Sequence, residues 1–126
     1  MIVCSDNVKL GCHRTFLSSR STVFDAMMRT DMLEARQGFV IISDFNSTTF
    51  NEVLRYIYCN YVSNIDHHAD QLIFAAEKYQ LLGLKAICIT NLKSTLTIQN
   101  LFQRLRIATL VISPSLFSSC IRFIRR

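Results

Sequence analysis

Five successive segments after residue 45 carry apolar side chains every three or four positions, which is the spacing of one face of an α-helix. Only three glycines and one proline interrupt the 126 residues, so little in the chain opposes long helices. The pattern therefore predicts a helical array over most of the chain. Its stripes are Phe50-Val53-Leu54-Ile57, Leu72-Ala75-Ala76-Tyr79, Leu84-Ile87-Cys88-Leu92, Leu101-Leu105-Ala108-Ile112 and Leu116-Cys120-Ile124.

The boundaries of these helices have recognisable start and stop residues. Serine, asparagine and aspartate cap helix N-termini, glycine ends helices, and proline is tolerated in the first turn. The expected boundary residues are, in order, Asn46 or Ser47, Asp66 as the cap of the second helix, Gly83 as the residue that ends or bends the chain before the third, Thr97, and Ser113-Pro114.

The first third of the chain has a different pattern. Residues 2–4 and 8–10 predict two short strands around a polar turn, in which Asn7 tolerates a left-handed backbone. Residues 14–28 predict two short helices with a serine-rich break at 18–22, and the β-branched run 39–42 predicts a buried strand. Strands followed by a helical array give an α+β fold, a small sheet flanked by helices.

Charge and cysteine content limit the class of protein. Residues 1–77 carry six Lys/Arg against nine Asp/Glu, whereas residues 78–126 carry eight Lys/Arg and no acid. This split suggests that the two parts face different partners. Five scattered cysteines favour reduced thiols, with Cys88 and Cys120 acting as small apolar residues. The chain shows neither an apolar run of membrane-spanning length nor a secretory start.

Several ordered motifs resemble the BTB/POZ domain family. Residues 10–28 contain a His-basic pair that starts a helix, an apolar-Ser-Arg-Ser stretch, and an aromatic residue before a small residue and Met. Residues 41–44 with Phe50 and 54–58 resemble the family's strand, turn and Tyr-ended helix, and residues 75–79 with Leu81 and Leu84 resemble its next helix pair. The resemblance spans residues 2–92 and implies a BTB/POZ interaction domain over 1–95, a binding module rather than an enzyme.

Two further features are similar to the speckle-type POZ proteins of the MATH–BTB subfamily. Residues 31–36 resemble the apolar-x-Glu motif of cullin-binding relatives, and residues 96–124 resemble their additional C-terminal helix pair, the 3-box. The resemblance implies an adaptor of a cullin-3 ubiquitin ligase, acting in the nucleus or cytoplasm, with residues 96–126 as a helical extension. It assigns partner binding to Met32, Glu34, Tyr56 and Tyr58.

The chain also departs from the family pattern. The family's first helix and the Asp that opens its first strand would lie before Met1, as would a substrate-binding MATH domain, so an N-terminally truncated domain is expected. Since that helix supplies much of the usual dimer interface, a homo- or hetero-dimer is in doubt. Two alternatives follow: a self-association or corepressor scaffold, and a truncated competitor of full-length relatives.

Other chemistries receive less support from the residues. Met32 and Glu34 could be a helix-end Met and a solvated acid. His67, His68 and Cys59 suggest a zinc site. Adjacent histidines diverge by roughly 100° on a helix, however, so they rarely bind the same metal ion. Cys12 and His13 are neighbours in sequence, which seldom have the geometry of a nucleophile pair, and catalysis also needs an orienting group. The basic residues 122–126 are typical of a solvated helix end. We therefore expect no cofactor, no metal, no membrane and no specific nucleic acid.

Overall fold

The computed structural model describes residues 2–12, 14–30 and 40–125, and within these ranges the side chains of 14–15, 27–30 and 40–41 are not described. Three strands form one sheet: β1 (Ile2–Val3), β2 (Lys9–Leu10) and β3 (Val40–Ile41). Their order is β2-β1-β3, with β1 antiparallel to β2 and parallel to β3. Asn7 adopts φ 62° in the turn between β1 and β2. The predicted hairpin with a left-handed Asn is thus confirmed.

Seven helices in the described residues make up the rest of the fold, which confirms the α+β class. They are α1 (Arg14–Arg20), α2 (Thr22–Thr30), α3 (Ser47–Cys59), α4 (Ile65–Lys78), α5 (Leu82–Ser94), α6 (Leu101–Leu110) and α7 (Pro114–Ile124). Helix α4 packs between α3 and α5, α1 packs on α2 and α3, and α7 packs on α5 and α6.

The predicted break between the first two helices and two predicted helix starts are confirmed in detail. Ser21 separates α1 from α2, because its hydroxyl accepts a hydrogen bond from the Phe24 amide at 3.2 Å and caps α2. The Asn46 side chain caps α3 through the Thr49 amide at 2.9 Å. Ser113 caps α7, with Pro114 in the first turn.

The predicted boundaries of α4 and α5 are wrong. Helix α4 begins at Ile65 after Asn64 (φ 51°), and Asp66 lies in its first turn, where it accepts a hydrogen bond from Asn91 instead of capping the helix. Gly83 lies inside the first turn of α5, and the chain turns earlier, at Gln80 (φ 54°). Asn64 and Gln80 adopt the left-handed backbone at the starts of α4 and α5, so neither turn uses a glycine.

The C-terminal pair also differs from the prediction. Helix α6 begins at Leu101, because Thr97 and Asn100 bond to each other's amides in a preceding turn. Ile112, predicted to face inward, is 78% exposed with φ 52°, since it lies in the turn after α6. Ile124, the last residue of α7, is 54% exposed.

One continuous core joins these elements. Its centre is an aromatic cluster in which Tyr79 stacks on Phe24 with ring centroids 4.3 Å apart, while Phe50 meets both rings edge-on. Cys88 and Cys120 are fully buried in the same core, as predicted for small apolar residues. In the described part of the chain, every helix is too short or too polar to cross a membrane.

Candidate functional site

A pair of exposed aromatic rings lies where α1 packs on α3. The centroids of Phe16 and Tyr58 are 4.8 Å apart, with the rings inclined by 38°. Phe16 is 48% exposed and Tyr58 is 36% exposed, so both present apolar area to solvent. Tyr61, just after α3, is 59% exposed. Exposed aromatic residues are typical of protein interfaces, since they supply rigid apolar area at low entropic cost.

Arg20, the last residue of α1, holds the two helices together beneath this aromatic pair. Its guanidinium donates to the carbonyl of Ile57 at 3.4 Å and to the side-chain oxygen of Asn60. The same group lies 5.3 Å from the centroid of the Tyr56 ring. Asn60 ends α3 in a left-handed conformation, with its amide bonded to the Tyr56 carbonyl. The position of the aromatic pair is therefore fixed by contacts at the C-terminal ends of both helices.

Tyr56 and Tyr58 lie on different sides of α3. Two residues advance the helix by roughly 200°, so neighbouring tyrosines in this spacing face nearly opposite directions. Tyr56 is half-buried, and its hydroxyl lies against Gly83 at the start of α5. A Cβ atom added to Gly83 would overlap that hydroxyl. Tyr56 therefore joins α3 to α5, whereas Tyr58 is the one that presents its ring to solvent.

We predict that Gly83→Ala lowers the free energy of unfolding by about 1–2 kcal/mol, because the new methyl group overpacks against the Tyr56 hydroxyl. Tyr56→Phe removes the hydroxyl and leaves a weaker contact with the ring. The double variant should then recover at least half of the loss, which urea denaturation of the four proteins measures. An undiminished loss in the Tyr56→Phe background would contradict this contact.

The segment that carries Tyr61 is anchored from beneath by a buried carboxylate. Glu52 on α3 accepts hydrogen bonds from the Ser63 amide at 2.9 Å and from the Ser63 hydroxyl at 2.7 Å. Arg55 on the next turn of α3 lies 3.5 Å from the same carboxylate. This segment therefore has a defined path even though its residues on either side, Asn60 and Asn64, adopt left-handed conformations.

The structure describes only some of the residues that the sequence assigned to partner binding. Tyr56 and Tyr58 lie on α3 as described above, whereas Met32 and Glu34 lie outside the described residues. The sequence placed Phe16 among the apolar positions at helical spacing in residues 14–28 and did not assign it to partner binding, whereas in the structure it is exposed beside Tyr58. A signal for this existed: adjacent Phe16 and Leu17 diverge by about 100° on a seven-residue helix, and Leu17 is the one buried.

The metal site and the reactive cysteine considered from the sequence gain no support from the described residues. No group of three His, Cys, Asp or Glu side chains lies close enough there to hold a metal ion. Burial raises the pKa of the thiols of Cys4, Cys88 and Cys120, which keeps them protonated and weakly nucleophilic. The exposed aromatic pair can bury apolar area against another protein, which is a recognition role and requires no bond to form or break.

The family model of the BTB/POZ domain matches residues 1–96. This range contains the sheet, helices α1 to α5 and the aromatic pair, and it ends just after α5. Helices α6 and α7 lie beyond the matched range.

Proposed function

Because this chain belongs to the BTB/POZ domain family, we propose that it acts as part of a substrate adaptor for a cullin-3 ubiquitin ligase, in the nucleus or cytoplasm. BTB/POZ domains are protein–protein interaction modules, so the family sets the class of function. The finer proposal is that the partner is the cullin scaffold, while other subunits of the ligase carry out ubiquitin transfer. The exposed Phe16–Tyr58 pair is the observation that carries it.

The first support is the apolar-x-Glu sequence around Met32 and Glu34. In the chain this segment follows α2 and precedes β3. An unbranched Met side chain fits irregular apolar pockets on a partner. A glutamate beside it can accept hydrogen bonds from backbone amides and order the segment around the contact.

The second support is the geometry of α1 and α3. The Phe16–Tyr58 pair offers a rigid apolar wall, because Arg20 locks the two helices to each other. We assign direct contact to Phe16 and Tyr58. Tyr56 has a supporting role in this proposal, since its half-buried ring and its contact with Gly83 hold α3 against α5.

The third support is the C-terminal pair of helices. Helix α7 packs on α5 and α6, which attaches residues beyond 96 to the body of the domain. Phe102 on α6 and Phe117 on α7 are exposed, so this pair has apolar area to offer a partner. We propose that residues 96–126 are a 3-box-like extension that lengthens the docking surface.

A titration of the purified chain against the N-terminal domain of the cullin tests the proposal. We expect at least about a tenfold loss of affinity for the Phe16→Ala/Tyr58→Ala variant and a similar loss for Met32→Ala/Glu34→Ala. Val8→Ala truncates an exposed apolar residue near the β1–β2 turn and should leave the affinity unchanged. Absence of binding by the unmodified chain would refute the function, and full affinity in both double variants would refute the assigned residues.

Self-association is a second candidate, favoured by the position of β2. This strand lies at an edge of the described sheet, where the side that faces away from β1 can pair with a strand of another copy. Such pairing would suit a BTB scaffold that assembles corepressors. Light scattering at several concentrations separates the two ideas: a monomer that binds the cullin domain contradicts the scaffold, and a stable dimer without cullin affinity supports it.

A further inference from the structure

A polar cavity opens between the end of α5 and the second half of α7. Its volume is about 310 Å³. It is lined by Lys93, Ser94, Leu96, Ser119, Arg122 and Phe123. These residues come from both sides of the point where the family match ends, so the cavity depends on the C-terminal helices. It does not include Phe16 or Tyr58, and the inference below is independent of the cullin proposal.

The cavity is positively charged and has no carboxylate in its lining. Lys93 and Arg122 face into it from α5 and α7, and the chain contains no Asp or Glu after Glu77. Among the described residues, neither cation lies within 4.0 Å of a carboxylate. Arg122 donates to the Ser119 hydroxyl at 3.4 Å, a neutral partner, so no carboxylate of the described residues offsets the charge of its guanidinium.

Cations near helix C-termini often serve only to offset the helix dipole, and both residues lie in last turns. At the end of α5, however, other donors already occupy the terminal carbonyls. Arg104 of α6 donates to the Leu92 carbonyl and to the Thr95 hydroxyl. The Asn91 carbonyl accepts from the hydroxyls of Ser94 and Thr95. The charge of Lys93 is therefore not needed to complete the end of this helix.

We propose that this cavity binds the phosphoryl group of a phosphorylated peptide. A phosphoryl group carries close to two negative charges and three acceptor oxygens. Lys93 supplies an ammonium group, and Arg122 supplies a planar fork of N–H donors that matches phosphate geometry. The Ser119 hydroxyl accepts its bond from Arg122, so it can donate its own proton to the ligand.

The apolar part of the lining favours a peptide over other carriers of phosphate. Leu96 and Phe123 pack against the core and are partly buried, so they form an apolar wall beside the two cations. This wall can hold an apolar side chain next to the modified residue. A nucleic acid instead requires a row of cations along its backbone, whereas two cations in one cavity match a single anionic group.

Backbone-amide chemical-shift mapping tests the proposal on the full chain. The probes are N-acetyl-phosphoserine-N-methylamide, inorganic phosphate and N-acetyl-glutamate-N-methylamide. We expect saturable shifts at Ser94, Leu96, Ser119 and Phe123 with the phosphoserine probe, and weaker binding of the other two. The variant Lys93→Ala/Arg122→Ala should bind the phosphoserine probe at least about tenfold more weakly.

The matched control is Lys9→Ala/Arg106→Ala, which removes the same charge from exposed positions outside the cavity. It should keep full affinity, and thermal unfolding of both variants checks that they remain folded. An equal loss in the control would overturn the site, since the effect would then be one of net charge. Equal binding of the glutamate probe or of free phosphate would overturn the assignment to a phosphorylated peptide, as would shifts at other residues alone.

Discussion

Tyr79→Ala is expected to lower the free energy of unfolding by about 3–5 kcal/mol, the largest loss that a single side chain in this domain should produce. The ring is fully buried. It stacks on Phe24 and meets Phe50 at 88°, so its removal leaves a cavity that neighbouring rigid rings cannot fill. Urea denaturation followed by circular dichroism measures the change, and a loss below about 1 kcal/mol would contradict the central role of this ring.

Tyr79→Phe is expected to have the opposite sign and stabilise the domain by up to about 1 kcal/mol. Among the described residues the Tyr79 hydroxyl is buried without a hydrogen-bond partner, which costs free energy on folding. The Phe variant keeps both ring contacts and removes that cost. Any loss above about 1 kcal/mol in this variant would mean that the hydroxyl has a partner, such as a buried water.

The same hydroxyl gives the wild-type protein an alkaline limit. Burial, with Asp44 nearby, raises the pKa of Tyr79 far above its usual range. A group with a raised pKa in the folded state contributes stability that is present below its unfolded pKa, about 10, and is lost as the pH rises above it. We therefore expect the stability advantage of Tyr79→Phe to grow above pH 10, which denaturation curves at pH 8 and about 10.5 compare.

Local periodicity predicted the helices because burial of one face imposes the period directly on the sequence. The stripe on α3 illustrates this: Phe50, Val53, Leu54 and Ile57 are all buried. The caps at Asn46 and Ser113 were predictable for a related reason, since each side chain bonds to an amide only three residues ahead. Such interactions lie within the span that a single sequence displays.

Errors arose where distant contacts decide the outcome. Asp66 has the chemistry of a cap, yet Asn91 of α5 binds its side chain, twenty-five residues away in sequence. Arg20 likewise donates to the Ile57 carbonyl near the end of α3, and no local sequence pattern predicts that contact. Ile112 has the spacing of the apolar stripe of α6. The helix ends at Leu110, however, and Ile112 is exposed in the turn that follows.

The candidate site was partly predictable for the same reasons. The resemblance assigned Tyr58 to partner binding, and its ring is exposed next to Ile57 of the core stripe. Its partner Phe16 was not assigned to the site, because a short helix gives too few residues to define which face is buried. The family match supports the domain type. The assignment of Met32 and Glu34 to partner binding rests on their sequence motif alone.

Glu52→Ala is expected to lower the free energy of unfolding by about 2–3 kcal/mol, the second-largest effect that we predict. Glu52 is buried, and its carboxylate accepts from both the amide and the hydroxyl of Ser63. Removing the acceptor leaves two donors in a partly buried position without partners, and bonds to a charged group are worth more than neutral ones. Urea denaturation measures the loss.

Arg55→Ala provides the matched control for this carboxylate. The Arg55 side chain is largely exposed and lies 3.5 Å from Glu52, so removal of the ion pair should cost no more than about 0.5 kcal/mol. Equal losses in the two variants would show that the ion pair, rather than the bonds to Ser63, stabilises this region. Hydrogen exchange adds a local measurement, because the Ser63 amide should lose protection in Glu52→Ala and retain it in Arg55→Ala.

Loss of that protection has a consequence for docking. Tyr61 lies between the end of α3 and Ser63, so its position depends on the path that Glu52 imposes. If Tyr61 contributes to the docking surface, Glu52→Ala should weaken cullin binding although Glu52 itself is buried, and Tyr61→Ala should weaken it by a similar factor. Weakening by Glu52→Ala without any effect of Tyr61→Ala would instead assign the loss to the end of α3 and to the Phe16–Tyr58 pair.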